Sequence, residues 1–307
     1  MKGLRLLLSI AVLSSLGFHG LIAISEPLPM AVEDEIEIIS EFPVEVDSLE
    51  EFIQSYYELL DSETYLKEFK FLDQKANHLD NHKQLLAPLF GKLMALRNGS
   101  TERVSIYQIG DSHIKPGYFS TTVRGSLLNF FQPGVPIDAA AIQYHFTGIN
   151  GASFSNLTPN DAIFEKIKAL QPDLLIVSLG TNDAQGNYVA SRFRAEMQGF
   201  MTRLLAAQPE PKLIFTLPGD SSKNNKHNSN VAKVCSEIKD YARDHNFAWW
   251  DLFEVMGGSK SITKWKAKDL ASQDLIHYSP KGYMLQGYLF YSALIRAYKD
   301  LAEGGSQ

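Results

Sequence analysis

From Val104 onward the chain alternates short apolar runs with longer stretches of helical spacing, a rhythm that leaves few folds open. Runs of strand character fall at Val104–Ile109, Asp173–Leu179, Lys212–Leu217 and Phe247–Leu252, with a fifth expected near Ile137–Ala141. Between and after them, apolar spacing predicts helices over Tyr118–Phe131, Asp161–Leu170, Ala190–Ala207, Asn230–His245 and Pro280–Leu301. Apolar strands regularly separated by helices call for a sheet covered on both faces. The expected architecture is therefore a three-layer α/β fold, doubly wound around a parallel five-stranded sheet. Sheets of this kind bind ligands beyond the carboxyl ends of their strands.

Residues before this rhythm divide differently. Lys2 and Arg5 precede the apolar run Leu6–Phe18, and Ala23-Ile24-Ser25 forms a small-x-small site. That order reads as an export signal over residues 1–25, either cleaved or kept as an anchor through residues 4–24. In either case the body lies outside the cytoplasm, in the periplasm or at the cell surface. Residues 26–50 hold nine acids and no base, and Pro27, Pro29 and Pro43 interrupt any helix, so 26–47 reads as an acidic linker. Ser48-Leu-Glu-Glu51 is a capping-box pattern ahead of Phe52, Tyr56, Leu59 and Leu60. A second helix is expected over His82–Arg97, stopped by Asn98-Gly99, so that 48–100 forms an N-terminal helical region before the α/β domain at 101–303.

Charge narrows the partners. The whole chain carries a net charge of −6, which provides no global field for nucleic acid. Cys235 is the single cysteine, so no intramolecular disulfide forms, and its apolar neighbours predict burial. The histidines and carboxylates show no zinc-binding spacing; no metal and no cofactor are expected.

Four polar clusters fall in loops that follow strands or precede a helix. Gly110-Asp111-Ser112-His113 follows the first strand, where a serine can face substrate beside unpaired backbone N–H groups. Alone it could be an ordinary helix cap. Thr147-Gly148-Ile149-Asn150-Gly151-Ala152-Ser153 can turn a backbone N–H toward a developing oxyanion. Ser178-Leu179-Gly180-Thr181-Asn182-Asp183 projects an amide able to donate to the same oxyanion, although an Asx turn has the same letters. Asp274-Leu275-Ile276-His277 places a carboxylate where it can hold one ring nitrogen and leave the other to take a serine proton.

In this order the four clusters resemble the SGNH, or GDSL-like, hydrolases, over roughly Val104–Tyr298. The resemblance implies that Ser112 is the nucleophile, His277 the general base and Asp274 its orienting partner. It also implies an oxyanion hole made by the Ser112 N–H, the Gly151 N–H and the Asn182 side chain, with Gly148 as the rival to Gly151. His113 replaces the leucine of the commonest family motif, which places the chain in a subgroup beginning Gly-Asp-Ser-His. Trp250-Asp251-Leu252-Phe253, Met256-Gly257-Gly258 and Gly282-Tyr283-Met284-Leu285-Gln286-Gly287 are similar to exported bacterial esterases related to peptidoglycan O-acetylesterases.

The implied reaction is hydrolysis of acetyl esters on cell-wall or other extracellular carbohydrate, through an acyl-serine and without a cofactor. An O-acetyltransferase, a lipase or thioesterase, and a non-catalytic carbohydrate-binding module remain alternatives on the same fold. His113, Trp265 and Tyr278 are candidate substrate contacts, Trp265 because lysines flank it, whereas Trp249 and Trp250 suit the core. A second Gly-Asp-Ser, at 219–221, lacks helical spacing behind it and reads as a flexible loop over the site.

Overall fold

The computed structural model describes residues 66, 68–80, 83–224 and 226–304. The expected signal, the acidic linker and the helix beginning at Ser48 lie outside the described residues. Among those described, no helix is long and apolar enough to cross a membrane.

A six-stranded sheet forms the centre, in the order β1-β8-β5-β4-β2-β3. Its members are β1 (Leu79–Asp80), β2 (Val104–Gly110), β3 (Ile142–Gly148), β4 (Leu174–Ser178), β5 (Leu213–Thr216) and β8 (Ala248–Trp250). All neighbours run parallel except β1, which pairs antiparallel with β8 through Leu79 and Trp250. The five parallel strands match the expected number; β1 adds a sixth, antiparallel edge strand of two residues, too short to have a period to read. The expected strand near Ile137–Ala141 is corrected. Ile137–Ala139 is a single 3₁₀ turn with no buried residue, and the strand begins at Ile142.

Strand side chains alternate between two cores. Ile106, Tyr144, Leu174, Ile176, Ile214 and Trp250 face α1 (Lys83–Arg97), α2 (Tyr118–Phe131) and the long terminal helix α10 (Pro280–Gly304). Tyr107, Ile109, Leu175, Val177, Phe215 and Trp249 face α4 (Asp161–Leu170), α6 (Ala190–Ala207) and α7 (Asn230–Asp244). Cys235 is buried in this second core. Pro88 is accommodated within α1 at an exposed position, where the helix loses one hydrogen bond on its wet side. Helices α2 and α10 pack directly on one another, with the Phe119 and Phe290 rings 5.7 Å apart.

Register places the functional loops. Gly110 at the end of β2 pairs with Gly148 of β3 on one side and with Ser178 of β4 on the other. Three strands therefore end level, and the chain leaves β2 first to one side and later to the other. This reversal of winding is the switch point at which doubly wound sheets open a crevice.

Candidate active site

The segment after β2 turns immediately, with the Asp111 carbonyl accepting from the N–H groups of Ile114 and Lys115. Helix α2 starts only at Tyr118, so Ser112 stands on this turn and not on the helix itself. Its Oγ lies 2.9 Å from His277 Nε2, although 165 residues separate them. His277 Nδ1 lies 2.7 Å from Asp274 Oδ2. The local fold of 274–277 follows from that carboxylate, whose Oδ1 accepts from the N–H groups of Ile276 and His277. Folding back this tightly drives Leu275 to φ 54°, a left-handed conformation that is costly for a leucine.

Asp274 is about half exposed, at 46%. Its partial burial opposes the charge, but the His277 ring and the two N–H groups outweigh it and hold the carboxyl below its ordinary range. Asp274 thus presents an ionised oxygen to Nδ1 at neutral pH, directing Nε2 toward the serine hydroxyl.

Asn182 lies on the short helix α5 (Thr181–Gln185) after β4. Its Nδ2 donates to the Ala152 carbonyl at 2.8 Å and to Asp111 Oδ2 at 3.3 Å, which ties the ends of β2, β3 and β4 together. Gly148 and Gly151 divide their roles by geometry. A side chain at Gly148 would collide with the Lys115 backbone at 2.1 Å, so that glycine permits close packing. Gly151 turns the chain at φ 72° with open space around it. Among the described residues, neither the Gly151 N–H nor the Ser112 N–H has a hydrogen-bond acceptor.

The three expected substrate contacts fare differently. Trp265 is fully buried, its Nε1 donating to the Met256 carbonyl at 3.1 Å. It lies on α9 (Ser261–Lys266), where the flanking lysines leave the helix on other sides; its assignment to the surface is corrected. Tyr278 is also buried, with its hydroxyl 3.4 Å from the Asp220 carbonyl, and does not present a surface to substrate. His113 stands inside the site, but both ring nitrogens are engaged: Nδ1 with Asp111 Oδ1 at 2.9 Å and Nε2 with the Ile276 carbonyl at 3.0 Å. It braces the two loops instead of facing outward.

The second Gly-Asp-Ser is likewise corrected. Asp220 and Ser221 are buried, and the chain then forms a small hairpin of β6 (Ser222–Lys223) and β7 (Lys226–His227). Ser221 Oγ accepts from Gln185 Nε2 at 3.1 Å.

Sequence reasoning missed two supports of the site. Gln108, buried in the middle of β2, donates to Ser178 Oγ at 2.9 Å and accepts from Ser120 at 2.7 Å and Tyr144 at 2.8 Å. A glutamine inside an apolar strand was the available signal. Asp183 lies beside Asn182, and its Oδ1 accepts from the Phe154 N–H at 3.3 Å. Burial is the main force pushing its carboxyl up to about 7, with Glu196 and Asp111 adding to the shift and two backbone N–H groups opposing it.

A parallel sheet that gathers a serine, a histidine and a carboxylate at its carboxyl edge is the arrangement of the SGNH esterases. The chain belongs to the GDSL-like lipase/acylhydrolase family, whose model matches residues 109–285, more than half of its length. Among solved structures it is similar to a peptidoglycan O-acetylesterase, with TM-score 0.65 and 17% identity over 72% of this chain and 99% of the other. It is also similar to a two-domain esterase active on acetylated mannans, with TM-score 0.54 and 14% identity over 75% of this chain and 58% of the other. At these identities the likeness establishes the shared fold. No curated protein matches the sequence.

Proposed function

We propose that the protein is a serine esterase that removes acetyl groups from carbohydrate, acting outside the cytoplasm on cell-wall or related polymers. The observation that carries the esterase reading is the unbroken chain Ser112 Oγ, His277 Nε2, His277 Nδ1, Asp274 Oδ2, with contacts of 2.9 and 2.7 Å. Neutral His277 takes the hydroxyl proton as Ser112 Oγ attacks the ester carbonyl. Asp274 stabilises the resulting imidazolium without taking its proton.

The carbonyl oxygen becomes an oxyanion, which the Ser112 N–H, the Gly151 N–H and Asn182 Nδ2 receive. The two backbone donors are unengaged before substrate arrives, and the longer Asn182 bond, to Asp111, is the one the oxyanion takes over. As the tetrahedral adduct collapses, His277 gives the proton to the departing sugar oxygen, which leaves as a hydroxyl. Water then enters by the same route, releases acetate and restores Ser112.

The carbohydrate reading draws support from two structural neighbours, one a peptidoglycan O-acetylesterase and the other an esterase active on acetylated mannans. The sequence features of export at residues 1–25 agree with a polymer that lies outside the cytoplasm. Acetate release from O-acetylated peptidoglycan, compared with release from acetylated mannan and from long-chain p-nitrophenyl esters, tests the assignment. Preference for long acyl chains would replace it with a lipase or thioesterase. Acetyl transfer to an added sugar in place of acetate release would make the protein a transferase.

A further inference from the structure

Inside the site, His113 is more constrained than a helper residue needs to be. Its Nδ1 meets a carboxylate oxygen of Asp111, and its Nε2 meets the main-chain carbonyl of Ile276. A carbonyl can only accept a hydrogen bond, so Nε2 must carry a proton. Asp111 already accepts at both oxygens from fixed donors, the His113 N–H at Oδ1 and Asn182 Nδ2 at Oδ2, which is the pattern of an ionised, accepting carboxylate. Nδ1 must then carry a proton as well. A ring that donates from both nitrogens is an imidazolium.

We propose that His113 is a positioning residue, a partly buried imidazolium that fastens the loop carrying Asp274 and His277 to the turn carrying Ser112. The Asp111 contact holds it to the nucleophile turn, and the Ile276 contact holds the base loop one residue before His277. Its ring also stacks on that of His277, at 5.1 Å between centroids and 21° between planes. Tyr278 and Tyr283 enclose it edge-on at 5.8 and 6.0 Å, which fixes the remaining sides. Burial works against the charge. It is outweighed by the charge of Asp111 and its hydrogen bond, then by the Ile276 carbonyl and by Asp274, so the ring holds its proton above the ordinary histidine range. The ionisable groups facing it are Asp111, Asp274, His277, Tyr278 and Tyr283; the two carboxylates favour its charge.

The sign of the linkage follows. A histidine that is more basic folded than unfolded contributes stability that is complete below about pH 6.5 and disappears as pH rises through its folded titration. As pH rises through that folded titration the brace loses a proton, one of its two contacts fails, and the base loop is loosened from Ser112.

The charge state is independent of the esterase reading, while the positioning role rests on it, and the experiment separates the two. The full chain, with ring-¹⁵N histidine, is examined by NMR from pH 5.5 to 9, and His113 is assigned by its loss in His113→Gln. His113 is expected to titrate above the ordinary histidine value of about 6.5, with both nitrogens protonated below its titration; a titration at or below that value overturns the proposal. Asp111→Asn should shift the His113 titration to lower pH, and an unmoved titration would also overturn it. For the positioning role, His113→Gln should lower kcat by up to about 10²-fold with KM within about twofold, since a small displacement of the base costs rate more than binding. Its profile should also lack the alkaline decline of the wild-type enzyme. An unchanged kcat and profile would remove the role. Failure of a fluorophosphonate to label Ser112, with the NMR signature intact, would sink the esterase reading and leave the imidazolium standing.

Discussion

Residues 110–112 and 219–221 spell the same three letters, Gly-Asp-Ser, and each triplet follows a parallel strand of the same sheet. In both, the aspartate is buried and serves as a clamp. Asp111 gathers His113 and Asn182, whereas Asp220 Oδ2 accepts from the Ile262 N–H at 3.0 Å and its Oδ1 lies 3.4 Å from His227 Nδ1. The serines part company. Ser112 is partly open and meets an imidazole; Ser221 is 1% exposed and spends its oxygen on Gln185. A motif of this length specifies a tight turn and a buried carboxylate. Chemistry comes only where other loops converge on the hydroxyl.

The largest test of that contrast is to silence each serine. Ser112→Ala should lower kcat by on the order of 10⁴–10⁶, with fluorophosphonate labelling abolished. Asn182→Ala comes next, with an expected loss of about 10²–10³ in kcat, or ~2.7–4 kcal/mol, and an unchanged circular dichroism spectrum. Retained turnover would mean that the oxyanion is held elsewhere.

Asp183→Asn should act on stability through pH. The buried carboxyl has its folded pKa pushed up to about 7, so its penalty is absent below about pH 4 and grows until pH passes 7. Relative to wild type, the asparagine variant should gain up to roughly 4 kcal/mol between pH 4 and pH 8, measured by urea unfolding. A pH-independent difference would show that the carboxyl ionises normally. Ser221→Ala should do least, leaving kcat within about twofold and costing about 1 kcal/mol for the lost hydrogen bond. A large loss of activity there would erase the contrast between the two triplets.

The strands of the core were readable because β2, β4, β5 and β8 are apolar runs buried on both faces. Edge strand β3 was not, since one side of it meets solvent and its sequence mixes glutamine, histidine and threonine among apolar residues. Its apolar neighbour at 135–141 drew the assignment instead, yet Val135 and Ile137 are among the exposed large hydrophobics. The candidate site was legible as four clusters because each falls next to the end of a strand or the start of a helix. Trp265 and Tyr278 were misplaced for a different reason. Sequence neighbours on a helix point about 100° apart, so lysines beside Trp265 say nothing of the face it occupies. Tyr278 packs where its hydroxyl meets the Asp220 carbonyl, 58 residues away, which no local pattern announces.

The imidazole reaches the serine from the front of α10, the last helix of the described chain, and that order has a bearing on synthesis. A ribosome releases Ser112 and Asn182 well before His277. The activating contact at Ser112 is thus a long-range one, 165 residues across the fold, that tertiary folding alone can make.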